Sequence, residues 1–211
     1  GKDVLKLLES GAIALDAALM RATLSPGAEL AVSAALLHWP TQRSEELGAQ
    51  IGAYNSLDVS GATLSALKSE LAGSLDLFAD VVRNPKFDGK EMDRVKGQWM
   101  AQIAQEKTSP NALGMRVLPP LLYGEGHAYA IPLTGSGTEA SIAALTPDDL
   151  AAFHRDFVRA NNARIIVVGD TTMAEISSQL DRVFGDWLYD KMKRPDKNIA
   201  EVAVQTKPRV F

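Results

Sequence analysis

Leu71, Leu75, Phe78 and Val82 recur at three- and four-residue steps, and the run closes at Asn84-Pro85. That spacing lines one face of an α-helix with apolar side chains, and the residue before a proline is driven out of helical geometry. A helix ending at about residue 84 is therefore defined by both its buried face and its stop. Such a stripe must be laid on another element. Just upstream, Asp58 to Leu67 sets Val59, Ala62, Leu64 and Leu67 among small polar residues, which predicts a half-buried strand.

The same reasoning extends along the chain. Ala12 to Leu24, then Pro26-Gly27, then Leu30 to Leu37 predict strand, turn and helix. Gln42 to Ile51 predicts a helix capped by Ser44 and ended by Gly52. Asp88-Gly-Lys-Glu91 has the form of a capping box, and Met92, Val95, Trp99 and Ile103 continue as a stripe to about Lys107. Pro110-Asn111 opens a further helix carrying Leu113, Val117, Leu121 and Leu122, which Pro119-Pro120 should distort or end. Tyr123 to Thr138 holds four glycines and predicts an ordered loop. Thr146-Pro-Asp-Asp149 starts a helix with Leu150, Phe153 and Phe157 inward, and Thr172-Met-Ala-Glu175 starts one with Ile176, Leu180 and Val183 inward. Between them, Arg164-Ile-Ile-Val-Val168 predicts a short buried strand ended by Gly169-Asp170.

Helices and strands do not alternate strictly, so the expected class is α+β, a largely antiparallel sheet covered by helices. A chain of 211 residues suits one large domain, taken as residues 1–190. Residues 191–211 turn polar and basic, then end in Val202-Ala-Val204 and Val210-Phe211, which predicts a linker and the start of a further strand.

Charge and composition narrow the function. Lys plus Arg is 22 against 26 for Asp plus Glu, giving −4, and this provides no electrostatic footprint for nucleic acid. No apolar run reaches membrane-spanning length, and no membrane partner is expected. Without cysteine there is no disulfide, thiolate zinc site or cysteine nucleophile, and the compartment stays open between bacterial periplasm and cytoplasm.

No reaction centre is visible by motif. His38, His127 and His154 are far apart, and none has a second His four residues on, the usual spacing of a helical zinc site. His154 is expected on a helix surface, and His127 is placed to orient the glycine loop. Gly124-Glu-Gly126 and Gly135-Ser-Gly137 lack the Walker lysine and the full dinucleotide fingerprint, so turn chemistry explains them. Asp148/Asp149 and Glu45/Glu46 fall in expected first turns, where the helix dipole accounts for them.

Five pieces, in order, carry a resemblance. They are Thr41-Gln-Arg-Ser44-Glu-Glu-Leu47, Ala79-Asp-Val-Val-Arg-Asn-Pro-Lys-Phe87, and Leu122-Tyr-Gly124 with His127 and Tyr129. Gly137-Thr-Glu139 with Leu145 to Leu150 and Phe153-His154 follows, then Val167-Val-Gly-Asp170 with Phe184-Gly-Asp-Trp187. Over most of its length the chain resembles the pitrilysin/insulinase family of zinc metallopeptidases, including its processing-peptidase and cytochrome core-subunit branches. The resemblance implies a domain that pairs with a homologous domain or subunit around a peptide-binding chamber. It also implies, in active members, a His-x-x-Glu-His helix just before Thr41, with a Glu on a later helix completing the zinc site.

The chain departs from that pattern. The segment in question reads Leu30-Ala-Val-Ser-Ala-Ala-Leu-Leu37, without His or carboxylate, and Gln102 stands in the place of the third ligand. His38 and Glu106 lie nearby in sequence at the wrong spacing. The hairpins around Ser10-Gly11 and Thr23-Ser25 and the loop Gly52 to Asp58 are shorter than the family pattern implies. The expectation is a non-catalytic domain with no catalytic, cofactor-binding or metal-binding residue of its own, and zinc only in an active partner domain. Two alternatives stand beside it: part of an active zinc endopeptidase whose metal lies on another domain or chain, and a core-type scaffold subunit.

Overall fold

The computed structural model describes residues 12–20, 41–187 and 199–202, with backbone alone for 12–20 and Thr41. The expected helix over Leu30 to Leu37 lies outside the described residues, as does most of the tail. The elements are β1 (Ala12–Met20), α1 (Thr41–Glu46), β2 (Gln50–Asn55), β3 (Val59–Leu67), α2 (Leu71–Arg83), α3 (Gly89–Thr108), α4 (Pro110–Tyr123), α5 (Glu139–Ala144), α6 (Pro147–Phe157), β4 (Ala163–Val168) and α7 (Met173–Phe184). Short 3₁₀ turns at Lys68–Glu70 and Ala160–Asn162 lead into α2 and β4.

Four strands form one antiparallel sheet in the order β2-β3-β1-β4. One face of it is covered by α2 and α7. Ala62, Leu64 and Ala66 of β3 pack with Leu71, Leu75, Phe78 and Val82 of α2 and with Ile176 and Val183 of α7, while Ile165 and Val167 reach the same core from β4. Polar clamps join the two helices at their rims. Arg83 donates to the Val183 carbonyl oxygen at 2.6 Å and pairs with Asp186 at 2.8 Å, and Arg182 pairs with Asp76 and donates to the Ala72 oxygen. A helical layer of α3, α5 and α6 carries its own smaller clusters, around Val95, Ile103 and Ile142 and around Met92 and Leu150.

On the far side of β3, Tyr54 lies over Gly61. A Cβ built at Gly61 would stand 2.4 Å from Tyr54 Cζ, so the ring covers bare backbone that any side chain would lift it from.

Several expectations need correction. The helix expected over Gln42–Ile51 ends at Glu46. Gly48 takes φ 58°, a left-handed turn that stops the helix, and β2 then claims Gln50, Ile51 and Gly52. Ser44 is inside the helix rather than at its cap, and the expected loop from Gly52 is strand as far as Asn55. Among the described residues β4 lies at the edge of the sheet, and its burial alternates: Ile166 and Val168 are 48% and 38% exposed, so the expected buried strand is half-buried.

The largest correction is α4, which runs through Pro119 and Pro120 to Tyr123. Pro119 has no N–H for the carbonyl of Met115 four residues earlier. The Leu133 N–H, arriving from the glycine loop, donates to that oxygen at 3.0 Å and so the helix continues. The loop itself turns on glycines at positive φ: Gly124, Gly126, Gly135 and Gly137.

Candidate functional site

The site to be tested is the stretch of α3 where the family pattern puts its third zinc ligand. α3 starts where it does because the Asp88 carboxylate accepts the backbone N–H groups of Lys90 and Glu91. Glu91 does not complete a box but pairs with Arg94 at 2.8 Å. From that start the helix buries Met92, Val95 and Ile103 and turns Gln102 to solvent.

The Gln102 side chain is directed along α3 at Glu106, with Nε2 3.4 Å from Oε1. Glu106, set aside by its spacing as a zinc ligand, is 5% exposed, a buried role that the sequence reading does not foresee. Its Oε2 accepts from Arg116 Nη1 at 2.7 Å, from Ser136 Oγ at 2.7 Å and from Thr134 Oγ1 at 3.1 Å. Arg116 comes from α4 and also donates to the Gly137 carbonyl at 2.7 Å. Trp99, one turn before Ile103, donates its indole N–H to the Ser136 carbonyl at 3.0 Å. Three segments are thereby tied to one carboxylate: α3, α4 and the far end of the glycine loop.

The electrostatics follow from the partners. Burial pushes the Glu106 carboxyl up, but the hydrogen bonds from Ser136, Arg116, Gln102 and Thr134 together outweigh it and hold the group below its ordinary value. Glu106 and Arg116 side chains are 6% and 9% exposed, so this is an ion pair out of water, with the remaining lone pairs satisfied.

Such a donor set does not fit zinc. Gln102 offers a neutral amide whose N–H₂ is aimed at Glu106, and Glu106 is already neutralised by a guanidinium and two hydroxyls. Among the described residues, no group of three or more His, Cys, Asp and Glu is placed to hold a metal. His38 lies outside them. His127 and His154 are engaged elsewhere.

His127 does orient the loop. Its Nδ1 accepts the Tyr129 N–H at 3.0 Å, which puts the proton on Nε2, and that N–H donates to the Ala200 carbonyl at 2.9 Å. Tyr123 stacks on the imidazole with centroids 5.1 Å apart, and the Tyr129 hydroxyl donates to Asp58 at 2.8 Å. His154 is not the surface residue expected. It is half-buried against Phe87, and its Nε2 lies 2.7 Å from the Val82 carbonyl in the last turn of α2, which it serves as a side-chain cap.

Comparisons with known proteins agree with this arrangement. Residues 40–127 match the model of the insulinase family, peptidase family M16, and residues 144–211 match that of the peptidase M16 inactive domain. The crystal structure of a peptidase M16 inactive domain from Pseudomonas fluorescens is 27% identical with a TM-score of 0.77, over 92% of this chain and 49% of that one. The periplasmic protease PqqL from Escherichia coli shares the fold at 17% identity and TM-score 0.74, over 92% of this chain and 23% of that one. A protein described as an uncharacterized zinc protease, YmxG of Bacillus subtilis (strain 168), is 23% identical over 143 residues, 68% of this chain and 34% of that protein. This chain therefore spans about a third of that relative and about half of the Pseudomonas chain.

The chain belongs to the insulinase/pitrilysin family of peptidases, M16, and has its α+β domain fold. Within the family it stands with the non-catalytic domains.

Proposed function

We propose that this domain pairs with a homologous domain or subunit and supplies part of the wall of a peptide-binding chamber, with zinc and the water-activating Glu held only by the partner. The observation that carries the reading is the state of α3: an exposed amide at Gln102, and beside it a carboxylate locked to Arg116. Freeing Glu106 for a metal would break a buried ion pair, which costs several kcal/mol, about 3–5 when one partner is removed. Evolution of a working site would not start from that arrangement, whereas a scaffold retained for its shape tolerates it. The homologous domains found within the longer chains of relatives support a partner of the same kind.

Two measurements test this together. The purified chain, equilibrated with zinc and dialysed, should hold far less than one equivalent by elemental analysis and should not cleave a quenched peptide. Added to a homologous domain that carries His-x-x-Glu-His, it should co-elute in size-exclusion chromatography and raise that domain's peptide turnover. Stoichiometric tightly held zinc, or cleavage by this chain alone, would overturn the reading.

A further inference from the structure

His127 makes two backbone bonds, and the glycine loop needs only one of them. Its Nδ1 accepts the Tyr129 N–H at 3.0 Å, and its Nε2 lies 2.9 Å from the carbonyl oxygen of Ala200, 73 residues further along the chain. A backbone N–H only donates and a carbonyl only accepts, so the two contacts together place the ring proton on Nε2. The first bond shapes the loop, and asparagine would serve there, because its side-chain oxygen stands where Nδ1 does and can accept the N–H two residues on. The second bond needs the longer ring.

We propose that residues 199–202 are a strap which the glycine loop clasps through His127, so that the chain leaves the domain beside the end of α4 rather than from the end of α7. Such a strap stands independently of the proposed pairing with a homologous domain.

The donor is aimed by the loop itself. Gly124 and Gly126 take φ 85° and 82°, and the backbone turns on both sides of the imidazole: the His127 N–H donates to the Gly124 oxygen at 3.3 Å and the Ala130 N–H to the His127 oxygen at 2.9 Å. Tyr123, the last residue of α4, stacks on the ring with planes 11° apart. Tyr129 flanks it at 5.9 Å between centroids, and its hydroxyl is anchored on Asp58 in the turn between β2 and β3. A side chain already fixed in its binding rotamer loses little entropy when the bond forms.

The strap has no comparable grip of its own. All four of its residues are exposed, Ile199 and Val202 at 41% and 38%, so apolar burial does not account for its place. Among the described residues, the hydrogen bond that reaches it is the one from His127. The acceptor is main chain, so the clasp places no demand on the side chain at residue 200 and acts on the path of the chain alone.

The test is timed trypsin digestion of the full chain, with each cut read by mass spectrometry. Lys197 lies three residues before Ala200, and cleavage of a segment that opens and recloses quickly follows its open population. His127→Asn keeps an acceptor for the Tyr129 N–H and loses the reach to Ala200, so the cut after Lys197 should quicken about fivefold, the order of one net hydrogen bond, while cuts after Lys86 and Lys107 keep their rates. His127→Gln restores a donor at the ε position and should stay within about twofold of the wild type at Lys197. An unchanged rate in His127→Asn overturns the proposal, and so does an equal rise in both variants, since the lost ε donor would then not be the cause. If His127→Asn is instead cut faster everywhere, imidazole nitrogen NMR of the wild type decides: a neutral ring protonated on Nε2 supports the clasp, and one protonated on Nδ1 overturns it.

Discussion

Leu133 donates its backbone N–H to the carbonyl oxygen of Met115 at 3.0 Å, filling the place in the α4 hydrogen-bond ladder that Pro119 leaves open. A loop residue thus completes a helix. The relation implies that the loop and α4 open as one unit. Hydrogen exchange should show the Leu133 amide protected to the same degree as the interior amides of α4, although its neighbours lie outside regular structure. Exchange as fast as that of an exposed loop amide would refute this.

The Glu106–Arg116 pair gives a second prediction. Arg116→Met strands a carboxylate in a site 6% exposed, and should destabilise the fold by about 3 kcal/mol in urea titration. Adding Glu106→Leu removes the stranded charge, and the double variant should recover at least a third of the loss. Additive losses would show that the two side chains act independently.

Legibility from sequence followed distance along the chain. The caps at Thr146/Asp149 and Thr172/Glu175 are reciprocal bonds within four residues, and the letters alone were enough for both. So was the α2 stripe, whose period and stop are local. Glu106 is set aside by its spacing as a zinc ligand, but its tie to Arg116, Thr134 and Ser136 is not legible, because these come from 10 to 30 residues away, on α4 and at the far end of the glycine loop, and no local spacing marks them. A polar residue at the buried position one turn after Ile103 was the available signal, since Glu106 follows Met92, Val95, Trp99 and Ile103 in the same stripe. The β4 exposure is illegible for a different reason: an apolar run reads the same whether one face or both are covered, and only the packing of Ile165 and Val167 on the core, with Ile166 and Val168 turned away, distinguishes them.

Acid should reveal two titrations in different windows. Burial lowers the His154 pKa from 6.5, against a smaller opposing effect of the bond to Val82, so the folded state keeps the ring neutral while the unfolded state takes up a proton. That contribution is complete above about pH 6.5 and is lost as pH falls toward the lower folded value. Glu106, also held below its ordinary value of 4.5, contributes above that pH and loses its share further into acid. His154→Gln keeps a donor for the Val82 oxygen and should flatten the stability curve just below pH 6.5 while leaving the limb below 4.5. An unchanged slope near pH 6 would mean that His154 protonates freely in the folded state.

Tyr54 and Gly61 predict a change of sign. Gly61→Ala puts a methyl 2.4 Å from Tyr54 Cζ, and the ring must leave the strand it covers, at a cost of about 1 kcal/mol. In a Tyr54→Ala background the same substitution meets no ring and only stiffens a strand, so it should stabilise by about 0.5 kcal/mol. Denaturant titration of the four proteins decides it; equal effects in both backgrounds would show that the contact has no energetic weight.

The last prediction concerns the metal that this domain is proposed to lack. Gln102→Glu alone adds a carboxylate one turn from Glu106, toward an oxygen that now faces an amide at 3.4 Å. Like charges four apart on a helix cost a few tenths of a kcal/mol, so this variant should be slightly less stable and still free of zinc. Ligands must be added on the preceding segment as well. Ala31→His, Ala34→Glu and Ala35→His restore the inverted motif in one register, and Val32→His, Ala35→Glu and Leu36→His restore it in the next. Combined with Gln102→Glu, one register should bind zinc in calorimetric titration and rise in melting temperature with zinc concentration, since a metal held only by the folded state stabilises it. Cleavage need not return, because the groups that orient the ligands and hold the substrate are not restored by these changes. If both variants fold and neither binds zinc more tightly than the parent, Gln102 does not occupy the place of the lost ligand.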